Sequence, residues 1–252
     1  MRPVSTIALD GPAASGKTTV GERLARDLNY LLFDTGVMYR AATLVALRSG
    51  TPIEDEAGVT ALTERLMIDV QPPAPEAADG RLYTVLVDGK DVTHEIRSPE
   101  VDAHVSPVSA YPGVRAALTE QQRRIGERGR IVMVGRDIGT VVLPRADLKI
   151  YLDASPQERA RRRFLDCRAR QDETSYDSVL AAVLRRDEID SGREHAPLCA
   201  AGDAVVIDST GLTIAQVVAR IEALIEPKIE PESEPEIEPE IEDGNGETST
   251  DC

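Results

Sequence analysis

A glycine-rich stretch near the N-terminus constrains the fold of this chain more than any other feature. A short apolar run, Thr6–Leu9, leads into the sequence Gly11-x-x-x-x-Gly16-Lys17-Thr18, and a helical pattern with apolar residues four apart follows. Glycines in this pattern let backbone N–H groups turn towards phosphate oxygens, while the positive end of the helix points at them. The strand, loop and helix together predict a Walker A phosphate-binding loop.

Two side chains of the loop are predicted to bind different parts of the ligand. Lys17 is expected to reach the β- and γ-phosphates of ATP, and the Thr18 hydroxyl is expected to bind Mg²⁺. The predicted ATP-binding loop also includes Gly11, Pro12, Ala13, Ala14, Ser15, Gly16 and Thr19. The alternative interpretation is a glycine-rich turn with a surface lysine, which the strand–loop–helix context disfavours.

Apolar runs alternate with helical patterns along most of the chain. Further buried strands are predicted at Leu31–Phe33, Ile131–Val134, Leu148–Leu152 and Ala204–Ile207. Helices are predicted at about 37–48, 112–127, 176–190 and 214–224. This alternation is typical of a parallel sheet covered on both faces, so the predicted fold class is α/β with a five-stranded parallel P-loop core and helices on both faces.

Residues from about 51 to 105 depart from that alternation. Prolines at 72, 73 and 75 interrupt a stretch rich in alanine and acidic residues. Leu82–Val87 then has the pattern of a strand, Asp88-Gly89 that of a hairpin turn, and Lys90–Val92 that of a return strand. The segment predicts a small α+β insert on the core.

The negative charge of the chain is concentrated at its C-terminus. The formal net charge is −15, and residues 226–251, with 11 acidic residues and one lysine, account for −10 of it. Prolines four apart prevent a helix there, and the charge prevents burial. We therefore expect residues 226–252 to form a disordered acidic tail rich in proline and glutamate, whose partner is left open.

Composition disfavours several classes of protein. The negative charge argues against nucleic acid as the main partner, and no apolar run approaches the ~18 residues of a membrane span. Cys167, Cys199 and Cys252 show no metal-ligand spacing and no disulfide framework, which indicates a reducing compartment. With no signal peptide recognisable, we expect a cytoplasmic monomer.

The arginines of the chain are arranged to hold anions. Two groups each share a predicted helix face, by spacings of three, four or seven: Arg159, Arg162 and Arg163, and Arg186, Asp190 and Arg193. Each group alone would be a solvated face or an ordinary ion pair. Because arginine binds phosphate through two parallel hydrogen bonds, both groups beside a P-loop predict two phosphate-bearing substrates that meet head to head.

Four motifs of the chain resemble, in order and spacing, those of the bacterial cytidylate kinases. They are the Walker A loop, Asp34-Thr35-Gly36-x-x-Tyr39-Arg40, Gly135-Arg136-Asp137-Ile138-Gly139-Thr140 and Arg186-Asp187-x-x-Asp190-Ser191-x-Arg193. The resemblance covers about residues 4–225, and the last two motifs are far more specific than the first. It implies a kinase that transfers the γ-phosphate of ATP to CMP or dCMP, with Mg²⁺, in pyrimidine nucleotide metabolism.

The same resemblance implies a domain organisation. A nucleoside-monophosphate kinase domain would cover residues 1–225, with a monophosphate-binding insert at about 37–110 and a mobile lid at about 156–185. The acidic tail at 226–252 lies outside the resemblance.

The resemblance also implies roles for single residues. Substrate-binding residues would be Thr35, Tyr39, Arg40, Ser106, Arg115, Arg136, Asp137, Arg186, Asp190 and Arg193. In this set Thr35, Arg40 and Arg136 would hold the CMP phosphate and sugar. Ser106, Arg115 and Asp137 would read the cytosine edge. Arg186, Asp190 and Arg193 would bind the ribose hydroxyls and the acceptor side.

The catalytic residues that the resemblance implies are mostly cations. They are Lys17, Arg136, Arg159, Arg162, Arg163 and Arg186, and the three from Arg159 to Arg163 would close over the ATP phosphates as part of the lid. Asp34 would lie near the Mg²⁺ held by Thr18. In one respect the chain departs from the family: the residue before Gly135 is usually acidic, and here it is Val134. A carboxylate at that strand end would lie near the water shell of the metal, and its absence suggests that Asp34 carries more of that role.

Phosphoryl transfer between two nucleotides needs alignment and charge neutralisation more than a base. His94, His104 and His195 are therefore expected to be bystanders, and a closing lid would exclude water.

Three alternatives remain open at the level of sequence. The first is a P-loop kinase for UMP, AMP or a sugar acid, which the motifs around Asp137 and Asp190 disfavour. The second is a nucleotide switch, but its guanine-reading Asn-Lys-x-Asp is missing, since the only asparagines are Asn29 and Asn245. The third is an inactive scaffold that acts through its tail, which the intact Lys17 and Thr18 disfavour.

Overall fold

The computed structural model describes residues 4–74, 77, 79–169, 172–193 and 196–225. The predicted tail and His195 lie outside the described residues. The strands are β1 (Thr6–Asp10), β2 (Leu31–Asp34), β3 (Ile68–Gln71), β4 (Thr84–Val87), β5 (Lys90–Asp91), β6 (Ile131–Val134), β7 (Leu148–Asp153) and β8 (Val205–Asp208). The helices are α1 (Lys17–Leu28), α2 (Gly36–Ser49), α3 (Glu56–Arg65), α4 (Pro99–Val108), α5 (Pro112–Gly126), α6 (Pro156–Ala169), α7 (Tyr176–Ser191) and α8 (Ile214–Ile225).

The core is a five-stranded parallel sheet in the order β2-β6-β1-β7-β8. This confirms the predicted fold class. The register aligns the carboxyl ends of three neighbouring strands, because Leu9 of β1 and Asp34 of β2 both pair with Val134 of β6. The loops that follow these strands therefore meet at one edge of the sheet, which is where ligands bind in open α/β sheets.

Helices cover both faces of this sheet, as the side chains of β6 show. A Cβ on Gly21 of α1 would lie within 3.5 Å of the side chains of Val132 and Val134, whereas a Cβ on Gly126 of α5 would lie 2.9 Å from that of Met133. Alternate residues of one strand thus face different helices, and all four residues of β6 are buried. Among the described helices, none is both long and apolar enough to cross a membrane.

A second, antiparallel sheet in the order β3-β4-β5 lies within residues 37–110. The predicted hairpin is present, but β4 begins at Thr84 and not at Leu82. In addition, β3 was not predicted. Its four residues alternate between buried Ile68 and Val70 and the polar Asp69 and Gln71, a pattern too short to stand out from the surrounding sequence.

The helices α6 and α7, which fall mostly in the predicted lid, have a small core of their own. Ala160, Val179 and Val183 are buried together, and the rings of Phe164 and Tyr176 meet edge to face with centroids 6.0 Å apart. Ser155 caps the start of α6, since the Glu158 N–H donates to Ser155 Oγ at 3.3 Å. Because this cluster is separate from the main core, the buried apolar contacts of α6 and α7 in it are with each other and not with the sheet.

Gly11 gives the fold its most demanding backbone position. Its φ is 145°, and a Cβ there would lie 2.1 Å from the carbonyl oxygen of Leu152 on the neighbouring strand β7. We expect Gly11→Ala to lower the free energy of unfolding by at least about 2 kcal/mol more than Gly211→Ala. At Gly211 φ is 72° and the space is open, so only the left-handed conformation is penalised, by about 1–2 kcal/mol. Urea unfolding of both variants measures the difference, and equal losses would contradict this account of the loop.

Candidate active site

The phosphate-binding loop has the geometry of an anion cradle. Ala14 and Gly16 have positive φ values of 59° and 94°. Lys17 Nζ donates to the carbonyl oxygen of Pro12 at 2.5 Å and to Ser15 Oγ at 3.3 Å, so its ammonium group lies inside the loop. Burial, assisted by the positive charge of Arg136, lowers the pKa of Lys17. A bound phosphate would supply the negative charge that stabilises the protonated lysine.

The two residues predicted to hold a metal lie side by side. Thr18 Oγ1 donates to Asp34 Oδ2 at 3.0 Å, and Asp34 Oδ1 accepts from the Gly36 N–H at 3.0 Å. Hydroxyl and carboxylate oxygens are the donors that Mg²⁺ prefers, so these two residues fit that ion. Within the described residues there is no group of three or more His, Cys, Asp or Glu side chains that could hold a metal.

Val134 lies beside this pair but presents no polar group to it. Its side chain is 2% exposed and packs where the first turns of α1 pass over β6, near Gly21. Its carbonyl oxygen accepts from both the N–H and the Oγ1 of Thr35, each at 3.0 Å. The strand end thus fixes Thr35 through its backbone, and Asp34 is the carboxylate that faces Thr18.

A buried ion pair links α5 to the turn after β6. Arg115 Nη2 donates to Asp137 Oδ2 at 2.5 Å, and each side chain is less than a tenth exposed. The guanidinium of Arg115 also lies over the ring of Tyr39, 5.6 Å from its centroid. Burial opposes the charge of Arg115, but the nearby Tyr39 and Asp137 outweigh it and raise its pKa. The three predicted residues therefore form one contiguous group.

Asp190 is the centre of a second cluster. Its carboxylate is 1% exposed and accepts from Arg136 Nε at 3.0 Å, Arg186 Nε at 3.2 Å and Arg193 Nη2 at 2.5 Å. Burial opposes the charged form, but the three arginines outweigh it and hold the pKa of Asp190 below its usual value. Arg193 Nε is buried and has no hydrogen-bond partner within the described structure. A buried donor of this kind calls for a partner, such as an ordered water or a ligand.

Of two predicted residues in the insert, one connects it to this region and the other does not. Ser106 on α4 accepts a hydrogen bond from Arg186 Nη1 at 2.6 Å, which joins the insert to α7. Arg40 is half-buried and donates to the carbonyl oxygen of Ile96 at 3.2 Å, and it also forms an ion pair with Asp102. Arg40 is therefore engaged inside the insert, whereas Ser106 reaches the arginine cluster.

The predicted lid arginines take different positions. Arg159 is 3% exposed, binds both carboxylate oxygens of Asp187 at 2.9 and 2.6 Å, and donates to the carbonyl oxygen of Ala13 at 3.3 Å. Arg162 donates to the carbonyl oxygens of Ser15 at 3.1 Å and Ser209 at 2.7 Å. Both arginines thus contact the phosphate-binding loop through its backbone.

Arg163 is exposed on the same helix, and none of its described contacts reaches the loop. His94 and His104 also lie outside the site, hydrogen-bonded to Asp79 Oδ2 at 2.7 Å and to the carbonyl oxygen of Glu100 at 2.8 Å.

Three further residues of the site escaped sequence reasoning. Asp187 pairs with Arg159, Ser209 receives Arg162, and Asp10 accepts two backbone hydrogen bonds from the turn after Asp137. Two of them carried a signal, since Asp187 lies within the Arg186–Arg193 motif and Asp10 directly precedes Gly11. Ser209 had none, because only the tertiary fold brings it to the loop.

Comparison with known proteins gives a consistent result. A family model described as cytidylate kinase matches residues 7–227. A protein named cytidylate kinase from Chloroflexus aggregans is 53% identical over 218 residues, which are 86% of this chain and 92% of the relative. Proteins of the same name from Roseiflexus castenholzii and Carboxydothermus hydrogenoformans are 51% and 47% identical, over 86% and 84% of this chain and 92% and 93% of their own lengths.

The Arg159–Asp187 pair generates a stability prediction. In Asp187→Asn the guanidinium of Arg159 would remain buried without its counter-charge. Breaking a fully buried pair costs about 3–5 kcal/mol, and we expect about 2 kcal/mol here because Asp187 is partly exposed. Urea unfolding measures the change, with Glu188→Gln, an exposed neighbour on α7, as a control expected to stay within about 0.5 kcal/mol of wild type. Equal stability of the two variants would show that the pair is not structural.

Proposed function

The chain belongs to the cytidylate kinase family, and we propose that the site described above transfers the γ-phosphate of ATP to CMP or dCMP through the residue roles that follow. As a member of this family it is a (d)CMP kinase, and its products are CDP or dCDP and ADP. The observation that carries the assignment of the acceptor is the Arg115–Asp137 pair, set beside the arginine cluster at the sheet edge that also holds the ATP loop.

Asp137 is the proposed reader of cytosine. Cytosine differs from uracil by an exocyclic amino group, which is a hydrogen-bond donor that a carboxylate can accept. Arg115 donates to Oδ2 of Asp137, so the carboxylate is held in a fixed orientation while Oδ1 has no hydrogen bond from the described residues. Ser106, through Arg186, would place the insert against the same nucleotide.

The cluster around Asp190 is the proposed site for the ribose and phosphate of the acceptor. Arg136, Arg186 and Arg193 bring three guanidinium groups together, and Arg193 Nε is a buried donor with no hydrogen-bond partner among the described residues. Guanidinium groups bind phosphate and hydroxyl oxygens through several donors at fixed angles. Thr35 and Tyr39 would line the same acceptor region, and Arg40 would join them from the insert.

The ATP side is proposed to use a divalent cation, Mg²⁺, held by Thr18 and Asp34. When bound, the ion neutralises charge on the phosphate oxygens. Lys17 would donate to the β- and γ-phosphates from within the loop. Arg159 and Arg162 would keep the loop in shape through its carbonyl groups, and Arg163, with Arg136 and Arg186, would neutralise the transferring group once the lid closes.

Closure of the lid would serve to exclude water, which otherwise competes with CMP for the γ-phosphate. The separate core of α6 and α7 is consistent with movement of the two helices as a unit. We also propose a monomer that acts in the cytoplasm on small nucleotides, not on nucleic acid.

An ADP-release assay tests the function. Wild-type protein with ATP and Mg²⁺ is offered CMP, dCMP, UMP, AMP or GMP, and Lys17→Ala is the control. We expect CMP and dCMP to give the fastest turnover and the control to abolish it. Fastest turnover with another acceptor would overturn the proposed acceptor, and ATP binding without turnover would overturn the proposed kinase.

The role of Asp137 gives a specificity prediction. An amide in its place presents a donor to the cytosine amino group, so Asp137→Asn should lower the ratio of kcat/KM for CMP to that for UMP at least about tenfold, or about 1.4 kcal/mol. Steady-state kinetics with both nucleotides measures the ratio. Asp166→Asn, which changes an exposed carboxylate of α6, serves as the control and should leave the ratio at its wild-type value. An unchanged ratio in Asp137→Asn would remove Asp137 as the reader.

A further inference from the structure

Asp10 is a buried carboxylate to which the proposed chemistry assigns no role. It is the last residue of β1, directly before Gly11, and it is 4% exposed. Its Oδ1 accepts from the Ile138 N–H at 2.8 Å and its Oδ2 from the Gly139 N–H at 2.7 Å. Both oxygens are thus engaged by backbone 128 and 129 residues away in the chain.

The segment that Asp10 holds is the one that carries the proposed cytosine reader. Ile138 and Gly139 begin the single π-helical turn Ile138–Val142, which follows Asp137 directly. A Cβ on Gly139 would lie 3.3 Å from Asp10 Oδ2 and 3.2 Å from Lys149 Cδ, so a side chain at this position would crowd the carboxylate. Two hydrogen bonds to successive N–H groups fix the orientation of the backbone immediately after Asp137.

The charge environment of Asp10 is unusual for a purely structural contact. Burial raises its pKa to about 6, the two backbone hydrogen bonds oppose this, the charge of Asp137 raises it further and Lys17 lowers it. The negative charge of Asp10 contributes to the raised pKa of Tyr151 on β7. The aliphatic part of the Lys149 side chain and the Asp10 carboxylate both lie near Gly139. Since the raised pKa means that burial disfavours the charged form, Asp10 weakens the fold as pH rises from about 4 to 6. Carboxylates whose pKa is raised in this way cluster at functional sites.

We propose that Asp10 is a positioning residue for nucleotide specificity, which ties the Asp137 turn to the start of the phosphate-binding loop and so sets the base-reading carboxylate relative to ATP. The inference rests on the proposed function of Asp137. In this proposal Asp10 touches neither nucleotide. It positions Asp137 because β1 continues directly into Gly11, while the Asp10 carboxylate at the end of β1 accepts two hydrogen bonds from the backbone after Asp137.

The test compares two matched variants of β1 contacts. In Asp10→Asn the amide accepts through one oxygen only, and its NH₂ group faces the second N–H donor. Asp147→Asn is the control, because Asp147 Oδ2 also accepts from two backbone N–H groups, those of Ser5 at 2.9 Å and Thr6 at 2.8 Å, at the opposite end of the strand. We expect Asp10→Asn to raise KM for CMP and to lower the preference for CMP over UMP, each about tenfold. Asp147→Asn should leave both values unchanged even where its melting temperature falls.

A second readout uses the wild-type protein and separates positioning from stability. The ratio of kcat/KM for CMP to that for UMP is measured from pH 5 to 8, so that titration of the 5′-phosphate, common to both nucleotides, cancels. We expect the ratio to fall as pH drops below about 6, where Asp10 becomes protonated and loses an acceptor. In Asp10→Asn this step should disappear, whereas a step that came from Lys17, Asp137, Tyr151 or Lys149 would persist.

The outcomes separate this inference from the proposed function. A wild-type enzyme without preference for CMP would overturn the cytosine reader and the role of Asp10 with it. A wild-type preference that survives in Asp10→Asn with unchanged KM would overturn the positioning role alone. If Asp10→Asn fails to fold, the wild-type profile still decides, and a constant ratio between pH 5 and 8 would reject the proposal.

Discussion

One buried carboxylate holds the proposed acceptor half of this site together. Three guanidinium groups would repel one another at close range, yet Arg136, Arg186 and Arg193 all contact Asp190, which is 1% exposed. They come from different parts of the fold: the turn after β6, the helix α7 and the segment beyond it. Their convergence therefore depends on a counter-charge at the centre, and the lowered pKa of Asp190 shows that the arginines outweigh its burial.

The parallel sheet explains why this cluster lies beside the ATP loop. Because Leu9 and Asp34 share a register with Val134, the phosphate-binding loop, the Thr35 turn and the Gly135–Asp137 turn leave the sheet at one edge. Hydrogen bonds from side chains to backbone groups then connect these loops. Arg159 and Arg162 reach carbonyl groups of the ATP loop from α6, and Asp10 reaches the turn after Asp137. The two proposed substrate regions are thereby parts of a single framework, and such a framework supplies the alignment that phosphoryl transfer between them would need.

Sequence patterns predicted what depends on local spacing and left out what depends on tertiary contacts. The loop, the five strands and the Arg186–Asp190 pair follow from short-range periodicity, and the structure contains all three. Spacing also placed Arg159, Arg162 and Arg163 on one face, but only the first two reach the loop, because a helix face does not specify its neighbour. The partners of Asp10, which are 128 and 129 residues away, could not be predicted from spacing, and neither could β3, a four-residue strand in a polar context.

The most direct test of the central claim is the affinity of the protein for each substrate, measured by titration calorimetry on wild type and on Asp190→Asn. If Asp190 organises the acceptor half, the variant should bind CMP at least about tenfold more weakly, or about 1.4 kcal/mol, while its affinity for ATP with Mg²⁺ stays within about threefold of wild type. A folded variant that binds CMP as tightly as wild type, or that loses CMP and ATP affinity equally, would contradict the claim.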